Sequence, residues 1–353
     1  MHHITKLQNI LQQHFRCNKA RIRLISSFIV SLIRVKTIKL TDISLDINHR
    51  VKYCSNYRRI QRFFSEFVMD YDVISRFVIT QLPKDKKYIL TLDRTNWQFG
   101  KKDINILMLG IVYRDTSIPL YWKLLNKRGN SSIEERKGLV EKAINLLGLR
   151  RIKSLVADRE FASAKWFKYL IESKLEFHIR IRKDAVITKY KSPIKTVRSL
   201  FKYNKAYSYI VLPDKKMVYN NELYISGRRT NKGEYFILAS NNNPGDALKD
   251  YKQRWTIENL FGYLKTKGFD FEKTHMTDPI KIKKLIALLT IAFLWSYLVG
   301  VWIDDSIKIK LKINGRKEIS IFRKGLDYLR SVIFDLNLKS KEFNFLTKFL
   351  SCT

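Results

Sequence analysis

Apolar positions recur at helical spacing through residues 22–33 and again through 57–67, so the first 87 residues read as mainly helical. At Lys87 the pattern changes. Residues 88–95, 104–113 and 120–125 are closely spaced apolar runs joined by short polar turns, which predicts three strands. A helix is expected over 133–147, bounded by Gly148, then a strand over 154–157, a helix over 162–173 and a strand over 176–181. Strands interleaved with helices predict an α/β fold. Between Arg182 and Asn243 the chain turns to short β-like runs, KMVYNNELYISGRR and EYFILASNNN. The segment DYKQRWTIENLFGYLKTKGFDFE then reads as one helix, with Ile257, Leu260, Phe261 and Leu264 as its buried side. Residues 285–303 carry no charge over 19 positions, close to the length that spans a bilayer. Thr290, Ser296, Tyr297 and Gly300 dilute this run, and it directly follows the expected helix over 250–272, so a buried helix is the better reading. Residues 304–353 are basic and read as helical.

Charge sharpens the picture. Lys and Arg number 68 against 32 Asp and Glu over 353 residues, a formal charge of +36. The basic residues are spread along the chain, which makes nucleic acid the natural counter-ion. An anionic membrane surface is the weaker alternative. Cys17, Cys54 and Cys352 have no paired spacing, and neither they nor the six histidines show metal-ligand spacing. A reducing cytosol fits this usage. There is no G-x-x-x-x-G-K-[ST], so an ATP-driven mechanism has no sequence support. The N-terminus, MHHITKLQNILQQHF, lacks the apolar region of a signal peptide.

Candidate chemistry concentrates in three places. Tyr251, Arg254, Glu258 and Lys265, at offsets of 0, 3, 7 and 14, fall within a sector roughly 60° wide on a continuous helix, over about 21 Å. A lone carboxylate among basic groups suits a metal ion beside a phosphate. Arg254 and Glu258 could equally form an i, i+4 ion pair on a solvated helix. Two apolar runs weigh against that plainer reading. YILTLDRTNW holds Asp93 and KSLVADREF holds Asp158, each near the C-terminal end of an expected strand, where the polar groups of an α/β sheet converge on ligand.

With these segments together, the chain resembles the DDE transposases of the insertion-sequence type four family. That family's signature is tyrosine, two residues, arginine, three residues, glutamate, six residues, lysine, and Tyr251, Arg254, Glu258 and Lys265 match it without a gap. The resemblance covers roughly residues 50–280. It implies a ribonuclease H-like catalytic core with a β-strand insertion, preceded by a helical DNA-binding domain. The expected divisions are 1–87 for DNA binding, 88–181 for the first part of the core and 182–243 for the β-rich insertion. The second part of the core, with the catalytic helix, spans 244–303, and a basic helical C-terminal region spans 304–353. Asp93, Asp158 and Glu258 are then the catalytic residues and the ligands of two Mg²⁺ ions, with Mn²⁺ able to substitute; hard cations of this kind take oxygen ligands. Asp93 is expected to bridge both ions, and Asp158 and Glu258 to complete one site each.

The resemblance also implies partners: double-stranded DNA as terminal inverted repeats and as target, and a homodimer in the synaptic complex. A cytoplasmic, nucleoid-associated location in a prokaryote and no membrane partner follow. Tyr251, Arg254 and Lys265 are expected to hold the DNA strand near a base flipped out while a hairpin forms. Some members of the family use a tryptophan of the inserted segment as the stacking platform, but residues 176–243 contain none. Trp97 and Trp255, close to the motifs, are the candidates for stacking, unless they are packed; a tyrosine of the insertion is another. The basic, aromatic run SNYRRIQRFFSEF offers Arg58, Arg59 and Arg62 to DNA, within a helix-turn-helix or as an ordinary helix with solvated arginines.

The leading expectation is a cut-and-paste transposase. A transposase-derived repressor or architectural protein competes with it, although all three carboxylates are present. A ribonuclease H-like nuclease without strand transfer also competes, although hydrolysis alone does not require the tyrosine, arginine and lysine.

Overall fold

The computed structural model describes residues 4–188 and 195–351. Five helices come first: α1 (Thr5–His14), α2 (Lys19–Val35), α3 (Leu40–Asp46), α4 (Tyr53–Glu66) and α5 (Tyr71–Thr80). The expected strands and helices follow as β1 (Tyr88–Phe99), β2 (Lys102–Tyr113), β3 (Thr116–Leu125), α6 (Ile133–Leu147), β4 (Ile152–Ala157), α7 (Ala164–Glu172) and β5 (Phe177–Arg180). Beyond them lie the short β6 (Val186–Ile187), β7 (Lys195–Thr196), β8 (Ile210–Val211) and β9 (Lys216–Val218), and the longer β10 (Asn221–Arg229) and β11 (Tyr235–Ser240). The chain closes with α8 (Ala247–Lys252), α9 (Trp255–Leu264), α10 (Pro279–Ser306), α11 (Ile321–Phe334) and α12 (Ser340–Leu346).

These elements form two units. One comprises Met1–Lys84, Asn96–Ile104 and Leu260–Thr353, the other Asp85–Thr95 and Asn105–Asn259. The second unit is organised by a sheet ordered β3-β2-β1-β4-β5-β11-β10-β9-β6-β7, with β8 beside β10. β4 pairs parallel with both β1 and β5, whereas β2 with β3 and β11 with β5 are antiparallel. With α6 and α7 as the connections, this is a ribonuclease H-like α/β arrangement. The register carries the important detail. The β1–β4 ladder ends with Leu92 opposite Ala157, so the next residue on each strand is an aspartate, Asp93 and Asp158. β1 itself runs on to Phe99, and Asp93 therefore lies mid-strand rather than near the strand end that the sequence suggests. It marks the end of the parallel ladder instead. Local signals fix the flanking helix: Ser132 and Glu135 form a reciprocal capping box at the start of α6.

The single helix expected from Asp250 onward is two. α8 stops at Lys252 and α9 starts at Trp255, with tight i, i+3 bonds from Arg254 N–H to the Tyr251 carbonyl and from Thr256 N–H to the Gln253 carbonyl. The Thr256 hydroxyl explains the break: it donates to the Gln253 carbonyl at 2.6 Å, and its oxygen also lies 2.8 Å from the Ser117 hydroxyl of β3. That contact docks the start of α9 on the sheet. Lys265 falls just past the end of α9.

The other unit is helical around α10, which packs against α2, α4, α5 and α11. This 28-residue helix contains the charge-free run. Pro279 opens it, the Asp278 side chain caps it, and its most apolar window is 89% buried within the protein. Lys284, itself buried, donates to the Phe64 carbonyl at 2.7 Å and so ties α10 to the end of α4. α10 and α11 approach closely because Gly300 and Gly325 face their crossing. A Cβ at Gly325 would sit 2.0 Å from the Ser296 carbonyl oxygen and 2.3 Å from the Gly300 nitrogen.

These clashes are with backbone, which cannot rotate away. Gly325→Ala is therefore expected to destabilise the protein by about 3 kcal/mol, the upper part of the overpacking range. Gly138→Ala, on an exposed position of α6 where a Cβ meets nothing within 4 Å, is expected to stabilise by about 0.5–1 kcal/mol. Thermal melts of both variants check this, and equal shifts in the two would remove the glycine crossing as an explanation.

Candidate active site

Asp93, Asp158, Tyr251, Arg254 and Glu258 all belong to the sheet-containing unit. Register brings Asp93 and Asp158 onto neighbouring strands, and the Thr256 contact sets α9 so that Arg254 and Glu258 face them. Arg254 donates from Nη1 to Asp93 Oδ2 at 3.1 Å and from Nη2 to Glu258 Oε1 at 2.5 Å. One guanidinium thus bridges two of the three carboxylates. The Tyr251 hydroxyl donates to Asp158 Oδ1 at 3.3 Å, and the Tyr251 ring packs edge-on against Phe236 of β11.

Burial dominates the electrostatics. Asp93 is 16% exposed, and desolvation raises its pKa from 3.8 to about 6. The Arg94 amide and Arg254 pull it down, while Glu160 and Asp158 push it further up. Burial also raises the Tyr251 phenol, helped by the Asp158 carboxylate. For Arg254, burial works against its charge, but Tyr251, Glu258 and Asp93 more than offset this and leave its pKa raised.

Polar pins that the motifs do not announce hold the constellation. Thr91 and Ser117 share a hydrogen bond of 2.7 Å, and Ser117 continues to Thr256, forming a buried hydroxyl chain from β1 through β3 to α9. Asp250 of α8, 1% exposed, accepts from Lys153 at 2.7 Å and Ser154 at 2.8 Å on β4. Arg94 forms a clamp: Nε and Nη2 reach both oxygens of Glu160 at 2.7 and 2.8 Å, and the rest of the guanidinium bonds Asn105, the Gly129 carbonyl and Asn130. Since Arg94 follows Asp93 and Glu160 lies two residues past Asp158, the clamp fixes one aspartate relative to the other. Arg94 and Glu160 were visible inside LDRTNW and DREF; Ser117 and Asp250 carry no sequence signal.

A cleft of about 1130 Å³ opens beside Asp158, lined by Arg159, Arg180, Arg228 and Phe236, with Arg182 paired to Asp184 and with Glu160 and Glu234 also on its wall. The guanidinium groups of Arg180 and Arg228 lie 5.6 and 5.9 Å from the centre of the Phe236 ring.

Of the remaining candidates, Lys265, Trp97, Arg58, Arg59 and Arg62 lie in the helical unit and Trp255 in the sheet-containing one. Lys265 forms an ion pair with Glu272 at 2.7 Å and stands 5.4 Å from the centre of the Trp97 ring. Trp97 is 9% exposed and packs on Phe271, so the expected stacking platform is a core side chain; Trp255, 61% exposed, presents its ring to solvent. On α4, Arg58, Arg59 and Arg62 are exposed. Arg59 reaches the Ala20 carbonyl at 3.3 Å, and its pKa is lowered by partial burial and then by Arg21, Arg23 and Arg62, a crowd of like charges that an anion would relieve.

Among the described residues, no three histidine, cysteine or carboxylate side chains are gathered closely enough to hold a metal ion. The cation between Asp93 and Glu258 is the guanidinium. The donor chemistry nonetheless fits a hard divalent ion: the acidic groups are carboxylates, and Asp93 carries the unfavourable charge that such an ion would neutralise.

That strain has a measurable sign. In the unfolded chain Asp93 ionises near 3.8, in the fold at about 6. Between these values the folded protein holds a proton that the unfolded chain has lost, so this contribution is complete below about pH 4 and is lost as pH rises through 6. In chelator, Asp93→Asn should raise the melting temperature above pH 6 and flatten the loss between pH 4 and 6. The same slope in the variant would show that Asp93 is not its source.

No curated protein matches the chain. Residues 80–295 match the family model described as Transposase DDE domain. This span holds Asp93, Asp158 and Glu258 and covers more than half of the 353 residues. The chain therefore belongs to the DDE-domain transposases, enzymes that cleave and transfer DNA and generally use divalent metal ions.

Proposed function

We propose that this transposase is of the insertion-sequence type four kind and works by cut and paste, binding terminal inverted repeats, cleaving at them and joining the ends to target DNA. The observation that carries the catalytic part is the end of the parallel β1–β4 ladder at Leu92 and Ala157, with an aspartate next on each strand and Glu258 linked to Asp93 through Arg254. In this reading Asp93, Asp158 and Glu258 hold two Mg²⁺ ions. Bound there, the metal supplies an activated oxygen nucleophile and neutralises charge at the scissile phosphate.

The chain's own groups do the rest. Arg254 and Lys265 hold phosphates flanking the scissile bond, and Tyr251 orients Asp158 through its hydroxyl. Arg159, Arg180, Arg182 and Arg228 line the path of the strand beside Asp158. An aromatic side chain among cations is the pattern with which proteins hold unpaired nucleotides, which supports a distorted strand there and a hairpin intermediate. Trp255 is the stacking ring in this scheme, since its indole is open to solvent. Arg58, Arg59 and Arg62 contact the phosphates of the inverted repeat, residues 1–87 forming the end-recognition domain, and two copies of the chain bring two ends together.

Asp93→Asn, Asp158→Asn and Glu258→Gln are each expected to slow Mg²⁺-dependent cleavage of a flanking-repeat duplex by at least about a thousandfold, the equivalent of roughly 4 kcal/mol of transition-state stabilisation. Binding of the same duplex in chelator should stay within a few-fold of wild type. Cleavage near the wild-type rate by any one variant would exclude that residue from the site. Replacing Arg58 and Arg62 with alanine should weaken binding and reduce the slope of log affinity against log salt by about 0.9 per lost phosphate contact. An unchanged slope would place end recognition on another surface.

A further inference from the structure

Arg254 is held by two acidic side chains at once, Asp93 at 3.1 Å and Glu258 at 2.5 Å, and its side chain is only 13% exposed. A guanidinium cannot leave such a place by losing a proton, because it stays charged at any physiological pH. It leaves only by exchanging these carboxylates for another anion. In a DNA-cleaving enzyme the anion that arrives at this point is a phosphodiester, which matches the planar, forked donors of arginine as well as a carboxylate does.

We propose that Arg254 is the resident counter-ion of the carboxylate site, and that DNA assembles the metal site by drawing this guanidinium from Asp93 and Glu258 onto a phosphate. The inference rests on the proposal that these carboxylates bind divalent metal. Several features of the fold point the same way. No three metal-binding side chains are gathered among the described residues, while one cation already spans two of the carboxylates. Arg254 sits in the tight turn between α8 and α9, not inside either helix. The ends of that turn are pinned, by Asp250 to β4 and by Thr256 to β3, so the guanidinium can swing while Tyr251 and Glu258 keep their places. Glu258, at 35%, is the more exposed of the two bridged carboxylates, Asp93 being 16% exposed, and faces solvent from which a phosphate would come.

The consequence is linkage. If DNA removes the competing cation, it strengthens metal binding, and metal must strengthen DNA binding by the same factor. The free enzyme then loads metal less readily away from DNA, and cleavage chemistry is favoured in the complex.

The test measures metal uptake, not turnover. Binding of Mn²⁺ to the full-length protein is followed by its paramagnetic resonance signal at pH 8. A short duplex ending in a 3′-dideoxy nucleotide serves as DNA, because it cannot be joined to a target. For the wild type, the duplex should tighten Mn²⁺ binding at least tenfold. Arg254→Met, which keeps much of the side-chain volume, and Arg254→Ala should bind Mn²⁺ without DNA as tightly as the wild type does with it, and the duplex should then add less than threefold. Thermal melts identify whichever variant keeps the fold, and that variant decides. Equal Mn²⁺ affinity of the wild type with and without duplex would overturn the proposal, as would an Arg254 variant that binds no better than wild type in the absence of DNA. Asp93→Asn and Asp158→Asn separate the two levels. If neither variant's DNA complex takes up less Mn²⁺ than the wild-type complex, the carboxylate reading itself fails; if both lose uptake and the duplex has no effect on the wild type, only the coupling fails.

Discussion

Acidic groups crowded at the end of a parallel strand pair are the constraint on which the rest of this structure depends. The β1–β4 ladder delivers Asp93 and Asp158 side by side, and the fold shields Asp93 so far from water that its pKa rises to about 6. Such an arrangement opposes folding. It persists only because neighbouring groups are fixed strongly enough to hold it, as is common where strain serves a site.

The fixing groups divide the labour. Arg94 ties the strand of Asp93 to the segment after Asp158 through Glu160, with every part of its guanidinium engaged. Asp250 anchors α8 to β4, and Thr256 anchors α9 to β3 through Ser117. Each is a buried or half-buried polar contact that is satisfied at both ends, the condition under which such contacts rigidify a site instead of weakening it. Arg254 differs from them. It neutralises charge without building the frame, and the turn that carries it lies between two anchored helices. In the proposed scheme this makes Arg254 the cation that a metal ion would replace as a phosphate draws it away.

Much of this was legible in the sequence, for physical reasons that also explain what was not. Apolar runs ending at Asp93 and Asp158 pointed to strands, because central strands buried on both faces are near-continuous apolar runs. The spacing of Tyr251, Arg254 and Glu258 pointed to a shared face, and Arg254 and Glu258 do meet. The continuous helix was not right: a hydroxyl at Thr256 competes for the Gln253 carbonyl, and this depends on Ser117, 139 positions earlier, which no local pattern reveals. Lys265 falls just past the end of α9. Trp97 looked available four residues past Asp93, yet β1 continues and carries it into a core against Phe271. The cleft holding Arg180 and Arg228 was hidden because β5 and β10 meet it from segments far apart in the chain.

The central claim is that Asp93, Asp158 and Glu258 surround one metal centre in the DNA complex. Fe²⁺ substituted for Mg²⁺ and treated with ascorbate and peroxide generates radicals that cut the polypeptide beside the bound ion, so the fragments report where the ion sits. With DNA bound, the account predicts cuts clustered near residues 93, 158 and 258 together, suppressed by excess Mg²⁺. Mg²⁺-sensitive cuts at other positions, or at only one of the three, would contradict it.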